Sequence, residues 1–348
     1  MRGLKIFSLA FFSYLLLSLY ANYFDPKLRE IIYSKGFEPS MVILGTLIAL
    51  LFFLAFALGY LSGLELPAWL LMGLLLSLSF YDPPVAPVLA ILLIISYNVQ
   101  LDPFRKFPDV ALALSLVVPI LLYLHYGVPL FTREIRYALV GPLVLLALLA
   151  AVGLSYSRLS PKWKTVLLGA YTIVFFLGTF RSLVLLVYLA YFFSVYFSSP
   201  GLRKEIGVLG VALFGVILWM SGGLEALLVR VGFTFLVFHN LVRLSLPWGL
   251  FHGALLLSDN PRHMVSELFG ASLNYSYFFF GQAVADFGIL GLIEAFLLGA
   301  LLRESEKSPP ALALVLSVMV YSLDSGIDAL TAIFIVTPLI FEKMHAGT

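Results

Sequence analysis

QAVADFGILGLIEAFLLG, residues 282–299, opens on polar, acidic and glycine residues and closes on an apolar run. A carboxylate at the head of such a run lies where the helix dipole favours negative charge, so Asp286 reads as sitting just inside a membrane helix predicted at 282–302. Immediately upstream, residues 221–282 form the one long interruption in an otherwise apolar chain. Arg230, His239, Arg243, His252, Arg262 and His263 all fall within it.

The rest of the chain has the composition of a bilayer protein. Hydrophobic residues make up 61% and charged residues 11%, and apolar runs of about 15–22 residues recur at the length needed to cross the hydrocarbon core. The predicted fold is an all-α, polytopic transmembrane bundle of about twelve helices. The spans are placed near 4–23, 41–62, 67–81, 84–99, 109–126, 137–155, 164–179, 182–198, 206–221, 282–302, 309–323 and 329–342. No repeat or soluble domain interrupts it, so residues 1–348 read as a single transmembrane domain, with 222–281 as a long extracytoplasmic loop covering the active side. Within that loop Leu224–Leu246 has the spacing of an interfacial or re-entrant helix.

A net charge of +2 and basic residues scattered in twos and threes exclude a nucleic-acid partner and act instead as topology signals. Tight clusters at 158–164 and 203–204 beside helix ends place both termini in the cytoplasm and the 221–282 loop outside. There is no cysteine, which excludes disulfides, thiolate metal sites and cysteine nucleophiles. The histidines lack metal-ligand spacing, so no metal is expected. Asn and Gln are scarce, five and two residues, as in thermophile proteins.

Arg181, in FLGTFRSLVLLVYL, stands between apolar stretches, and an unpaired guanidinium in lipid is costly. It is either a snorkelling residue at a tight outer turn or a phosphate ligand, for which its forked donors and permanent charge suit it. Arg230 and Arg243 lie about 140° apart on a helical wheel, while His239 shares the face of Arg243 at four residues' distance. These arginines and Arg262 are either headgroup anchors or a basic cradle for an anionic lipid-linked substrate. His239, His263 and Asp286 are candidate bases toward a sugar hydroxyl. Asn240, His252, Asn274, Tyr275 and Gln282 are candidate acceptor- or sugar-binding residues. Asp324 and Asp328, flanking Gly326, read as turn residues.

Two segments resemble motifs of the Wzy-type oligosaccharide repeat-unit polymerases and the related O-antigen ligases. Gly178-Thr179-Phe180-Arg181-Ser182 is similar to their G-[ST]-x-R turn between two helices. Gly281-Gln282-Ala283-Val284-Ala285-Asp286-Phe287-Gly288-Ile289-Leu290-Gly291 is similar to their G-E-x-x-x-D-F-G-x-x-G opening of a late helix, with Gln282 in place of the acidic residue. The resemblance implies a metal-independent membrane glycosyltransferase, without cofactor, that moves a polyprenyl-diphosphate-linked oligosaccharide onto an acceptor glycan among membrane lipids and other glycan-assembly proteins. A flippase or transporter of the same lipid-linked sugars is the competing class, and a ligase acting on another acceptor is a second.

Overall fold

The computed structural model describes residues 1–28, 42–79, 99–199, 222–258, 260–272 and 274–346, with isolated positions between them. The predicted spans 84–99 and 206–221 lie mostly outside the described residues. All regular structure among the described residues is helical. Among the described residues seven stretches are long and apolar enough to cross a membrane, with Gly281–Ser305 counted as one, which makes the protein a multi-pass membrane protein. Others are short for a crossing: α3 (Ala68–Ser79) has 12 residues, and α7 (Pro161–Leu177) and α14 (Pro309–Ser325) have 17 each, at or below the lower limit of about 17. The expected count of about twelve spans is therefore not what the described helices display.

Contacts divide the chain into two interleaved units. The first comprises residues 1–94, 222–306 and 322–340, the second 95–221, 307–321 and 341–348. Helices α14 and α15 (Ala329–Ala346) each pass from one unit to the other.

The first unit is organised around α1 (Arg2–Phe24), α2 (Ile43–Ser62), α9 (Leu224–Ser245) and α13 (Gly291–Ser305). The buried residues of α1, Phe7, Phe11, Leu15, Ser18 and Ala21, recur every three or four positions and form one stripe. Its C-terminal half lies against α9, where Asn22 donates to the carbonyl of Gly232 at 3.0 Å. Helix α2 buries Gly45, Ala49, Phe52, Phe56 and Gly59, again one stripe. At its end it crosses α13 so closely that a Cβ on Gly59 would collide with the Phe296 carbonyl, and one on Gly299 with the Phe56 carbonyl. Reciprocal glycines of this kind let two backbones meet, which is the main source of packing energy between helices in lipid.

An aromatic core fills the space between these helices. Phe278, Phe279 and Phe280 come from a non-helical segment at 274–280 and insert among the helix aromatics. Phe7 lies 4.6 Å from Phe56 and 5.1 Å from Phe279, and Phe52 lies 5.6 Å from Phe280, centroid to centroid. Irregular backbone at this depth is tolerated only where protein encloses it. Here Tyr275, Tyr277 and the three phenylalanines are all at most 4% exposed.

The predicted single helix at 282–302 is in fact two. Helix α12 (Gly281–Phe287) ends at Gly288, whose φ of 58° and contact with the Pro247 carbonyl admit no side chain without strain. A one-turn 3-10 helix (Gly288–Leu290) then leads into α13. Gln282 and Glu294 would stand about 18 Å apart along a continuous helix, yet the Gln282 amide reaches the Glu294 carboxylate at 3.3 Å. The chain thus runs alongside α9 from 274 through α12, with Tyr275 against Phe233, Phe278 against Phe235 and Gly288 against Pro247, and doubles back at Gly288 into α13.

The second unit is built on α6 (Arg136–Tyr156), packed between α5 (Pro108–Tyr126) and α8 (Arg181–Ser198). Two buried tyrosines hold α5 to α7: the Tyr171 hydroxyl meets Ser115 Oγ at 2.8 Å, and the Tyr123 hydroxyl donates to the Val174 carbonyl at 2.9 Å. A tight turn at Gly178–Phe180 joins α7 to α8, with Thr179 left-handed at φ 64°.

Candidate functional site

Helix α9 decides the fate of several predicted residues. Sequence suggested an interfacial or re-entrant piece of loop. The structure shows one helix of 22 residues, long and apolar enough to cross a membrane, with residues 234–242 enclosed on every side. A helix apolar all round its middle is a buried helix, so the wheel position that paired His239 with Arg243 does not decide exposure. Position along the axis does. Arg230 and Arg243 are exposed near its two ends, and Arg243 lies in the last turn where the dipole favours a cation.

His239 is 1% exposed and accepts a hydrogen bond from the Gly45 N–H on Nδ1 at 3.1 Å, satisfying one of the free donors at the start of α2. Asn240 turns back on its own helix, donating to the Leu236 carbonyl at 2.9 Å. Both side chains are buried against protein, one turn before Arg243.

Asp286 is wholly buried, and its carboxylate is occupied. It accepts from the Leu255 N–H at 2.9 Å, the Leu256 N–H at 2.8 Å and the Gln282 amide at 2.9 Å. The two backbone donors open the short helix α10 (Ala254–Leu257), and the backbone around Asp286 completes the clamp: the Leu250 N–H and Phe251 N–H donate to the Ala285 carbonyl and the His252 N–H to the Asp286 carbonyl. The D-F-G segment therefore fastens residues 249–257 against α12. Gln282, fully buried, bridges Asp286 and Glu294, a role that its amide donors fit and an acidic residue at this position would not.

The arginines of the first unit are brought together with partners the sequence did not assign. Two nitrogens of Arg230, Nε and Nη2, reach Asp324 Oδ2, each at 2.7 Å. The other oxygen of Asp324 accepts from the Tyr14 hydroxyl at 2.9 Å. Arg262, in α11 (Pro261–Leu268), faces Asp328 at 4.0 Å, and Arg230 lies within electrostatic range of Arg262. Arg230 keeps 47% of its side chain exposed and Arg262 23%. Asp324 and Asp328 are thus more than turn residues, although Asp328 also caps α15 by accepting from the Thr331 N–H at 2.8 Å. No local signal links Arg230 to Asp324, which lies 94 residues away; an arginine and an aspartate each embedded in apolar surroundings was the only available hint.

His263 is 41% exposed and its Nε2 lies 3.1 Å from Glu267 one turn on. His252 and Asn274 are exposed. Tyr275 is buried edge-on against Phe233 at 5.1 Å, and its N–H donates to the Arg262 carbonyl, which ties the 274–280 segment to α11. In the second unit Arg181 is the first residue of α8 and exposed at the Gly178–Phe180 turn. A side chain on Gly178 would press on the Tyr123 hydroxyl at 2.6 Å, which accounts for the glycine of the G-T-F-R pattern.

Fold and site together define an all-helical, multi-pass membrane protein with a broken helix threaded into its core and aspartate-anchored arginines at the edge of that core. Residues 4–335 match the profile of the family described as "Putative O-antigen polymerase"; the chain belongs to that family. It is also 27% identical over 231 residues to an uncharacterised protein of Methanocaldococcus jannaschii, an alignment covering 62% of this chain and 58% of the relative. No solved structure matches.

Proposed function

We propose that the protein is a polysaccharide polymerase that transfers a polyprenyl-diphosphate-linked oligosaccharide repeat unit to a hydroxyl of an acceptor glycan at the extracytoplasmic face of the membrane. Membership of the O-antigen polymerase family and the neighbouring Arg230 and Arg262 support this reading. The Arg230 guanidinium is steadied by Asp324 through two nitrogens, which fixes the direction of its remaining donors before substrate arrives, and Arg262 has the Asp328 carboxylate nearby at 4.0 Å. With both aspartates ionised the four side chains carry no net charge. Selectivity for a diphosphate then rests on the planar, forked geometry of guanidinium rather than on bulk attraction. Arg243, about 20 Å along α9 from Arg230, falls outside this cluster, and Arg181 remains a separate proposed phosphate contact at the turn before α8.

In the reaction the acceptor hydroxyl oxygen attacks the anomeric carbon of the donor, the bond from that carbon to the diphosphate oxygen breaks, and the lipid diphosphate leaves with its charge held by arginine. The hydroxyl proton passes to a base. His263 suits that task best among the three candidates: it is accessible and has a carboxylate, Glu267, against its ring, whereas His239 and Asp286 are buried with their acceptor atoms engaged. Exposed His252 and Asn274 remain available to sugar.

The broken helix at Gly288 favours one alternative, since discontinuous helices are common at transporter binding sites. A glycan ladder from membranes separates the two readings. Arg262→Ala is expected to shorten the chain-length distribution and cut polymer yield by at least about tenfold, the effect of losing one charged contact to a leaving group of about 1.4 kcal/mol or more. An unchanged ladder would remove Arg262 from the mechanism, and lost translocation of the lipid-linked unit with intact polymerisation would favour the flippase.

A further inference from the structure

The second unit contains a cavity of about 530 Å³ whose lining, among the described residues, includes Arg105, Arg158, Lys164 and Lys307 and no carboxylate. It lies at the far end of α8 from Arg181: Ser194, Ser198 and Ser199 line it, and the 18 residues of α8 span about 27 Å. It is therefore distinct from the Arg181 turn.

Two features point to a ligand. Lys164 is 5% exposed, and its ammonium donates to the Leu154 carbonyl and to Ser194 Oγ, both at 2.8 Å, with no carboxylate paired to it among the described residues. A buried ammonium held only by neutral dipoles has most of its desolvation cost unmet. Beside it, Ser155 and Ser157 are 3% and 7% exposed, line the cavity, and have hydroxyls without a hydrogen-bond partner among the described residues. Buried hydroxyls are normally satisfied. Four cations and two idle donors around one space of ligand size match the oxygens of a single anion.

We infer that this cavity binds a phosphate group, either the headgroup of an anionic membrane lipid or a soluble phosphorylated molecule. Ser155 and Ser157 donate to phosphate oxygens, Lys164 neutralises the charge from the cavity wall, and Arg158 and Lys307 gather it at the rim. Arg105 is already paired with Asp102 and Glu342 and contributes least. Trp163, 63% exposed on the same turn as Lys164, is the kind of residue that anchors a helix at headgroup level, which puts the cavity within reach of lipid.

The test uses the purified full-length protein in detergent. In native mass spectrometry the wild type should retain phosphatidylglycerol over phosphatidylcholine at least tenfold, and Arg158→Gln combined with Lys307→Gln should lose that preference. In a parallel arm, inorganic phosphate should raise the melting temperature of the wild type but not of the double variant. The first result identifies a lipid headgroup, and the second without the first a soluble phosphate. Ser155→Ala combined with Ser157→Ala, which removes only the idle donors, carries the same comparison should the charge variant fail to fold. If wild type and variants behave alike with both probes, the cavity is not a phosphate site.

Discussion

Asp286→Ala is expected to cost the protein its fold around residues 249–257 rather than a proton acceptor. The substitution leaves the Leu255 and Leu256 N–H groups buried without acceptors, at about 1–3 kcal/mol each, and strands the Gln282 amide beside Glu294. Against the roughly 5–15 kcal/mol that usually separates folded from unfolded chains, a loss of about 2–6 kcal/mol should appear as a large fall in melting temperature and as new proteolysis within 249–257. Asp286→Asn, which keeps one carbonyl oxygen, should recover much of the stability and polymer output together. A base would behave otherwise: the asparagine variant would then be stable and inactive. Measuring melting temperature and glycan ladder on the same two variants decides which description of Asp286 is correct.

Gly299→Leu should be at least as damaging. The Cβ would meet a backbone carbonyl, that of Phe56, and a carbonyl fixed in a helix cannot swing aside as a side-chain tip can. The leucine must push α2 and α13 apart along the contact that replaces the hydrophobic effect inside a membrane. The expected cost is about 3 kcal/mol or more, read as loss of monodisperse protein in size-exclusion chromatography. Gly73→Leu is the matched control, because nothing among the described residues lies within 4 Å of the Cβ it would carry. Equal behaviour of the two variants would contradict the α2–α13 crossing.

What could be read in advance followed from periodicity and length. The runs at 4–23, 41–62, 109–126, 137–155 and 182–198 are helices close to their predicted bounds, because in lipid every backbone group must be bonded within its own segment. The G-T-F-R turn was legible for the same reason: a glycine and a charge between two apolar runs. The break at Gly288 was not, since apolar residues continue on both sides and only the unsuspected contact between Gln282 and Glu294 reveals the fold-back. Residues 274–280 were read as loop because helical periodicity stops there. The aromatic block is non-helical backbone driven into the core, a state that resembles a loop in sequence and a core element in packing.

Helix α9 departs from its sequence expectation for a related reason. Arg230, His239 and Arg243 break its apolar pattern, yet the histidine is absorbed by the N-terminus of α2 and the arginines sit at the two ends. The Arg230–Asp324–Tyr14 cluster joins positions near the two ends of the chain, and pairing at that separation is a property of tertiary structure alone.

The central claim is that this protein itself forms the glycosidic bond with a lipid diphosphate as leaving group. Purified protein in nanodiscs, supplied with a synthetic polyprenyl-diphosphate oligosaccharide as both donor and acceptor, tests it most directly. The account predicts products lengthened by whole repeat units, with one polyprenyl diphosphate released per unit added and both signals lost in Arg262→Ala. Translocation of intact donor across the bilayer, without lengthened glycan or released lipid, would contradict it.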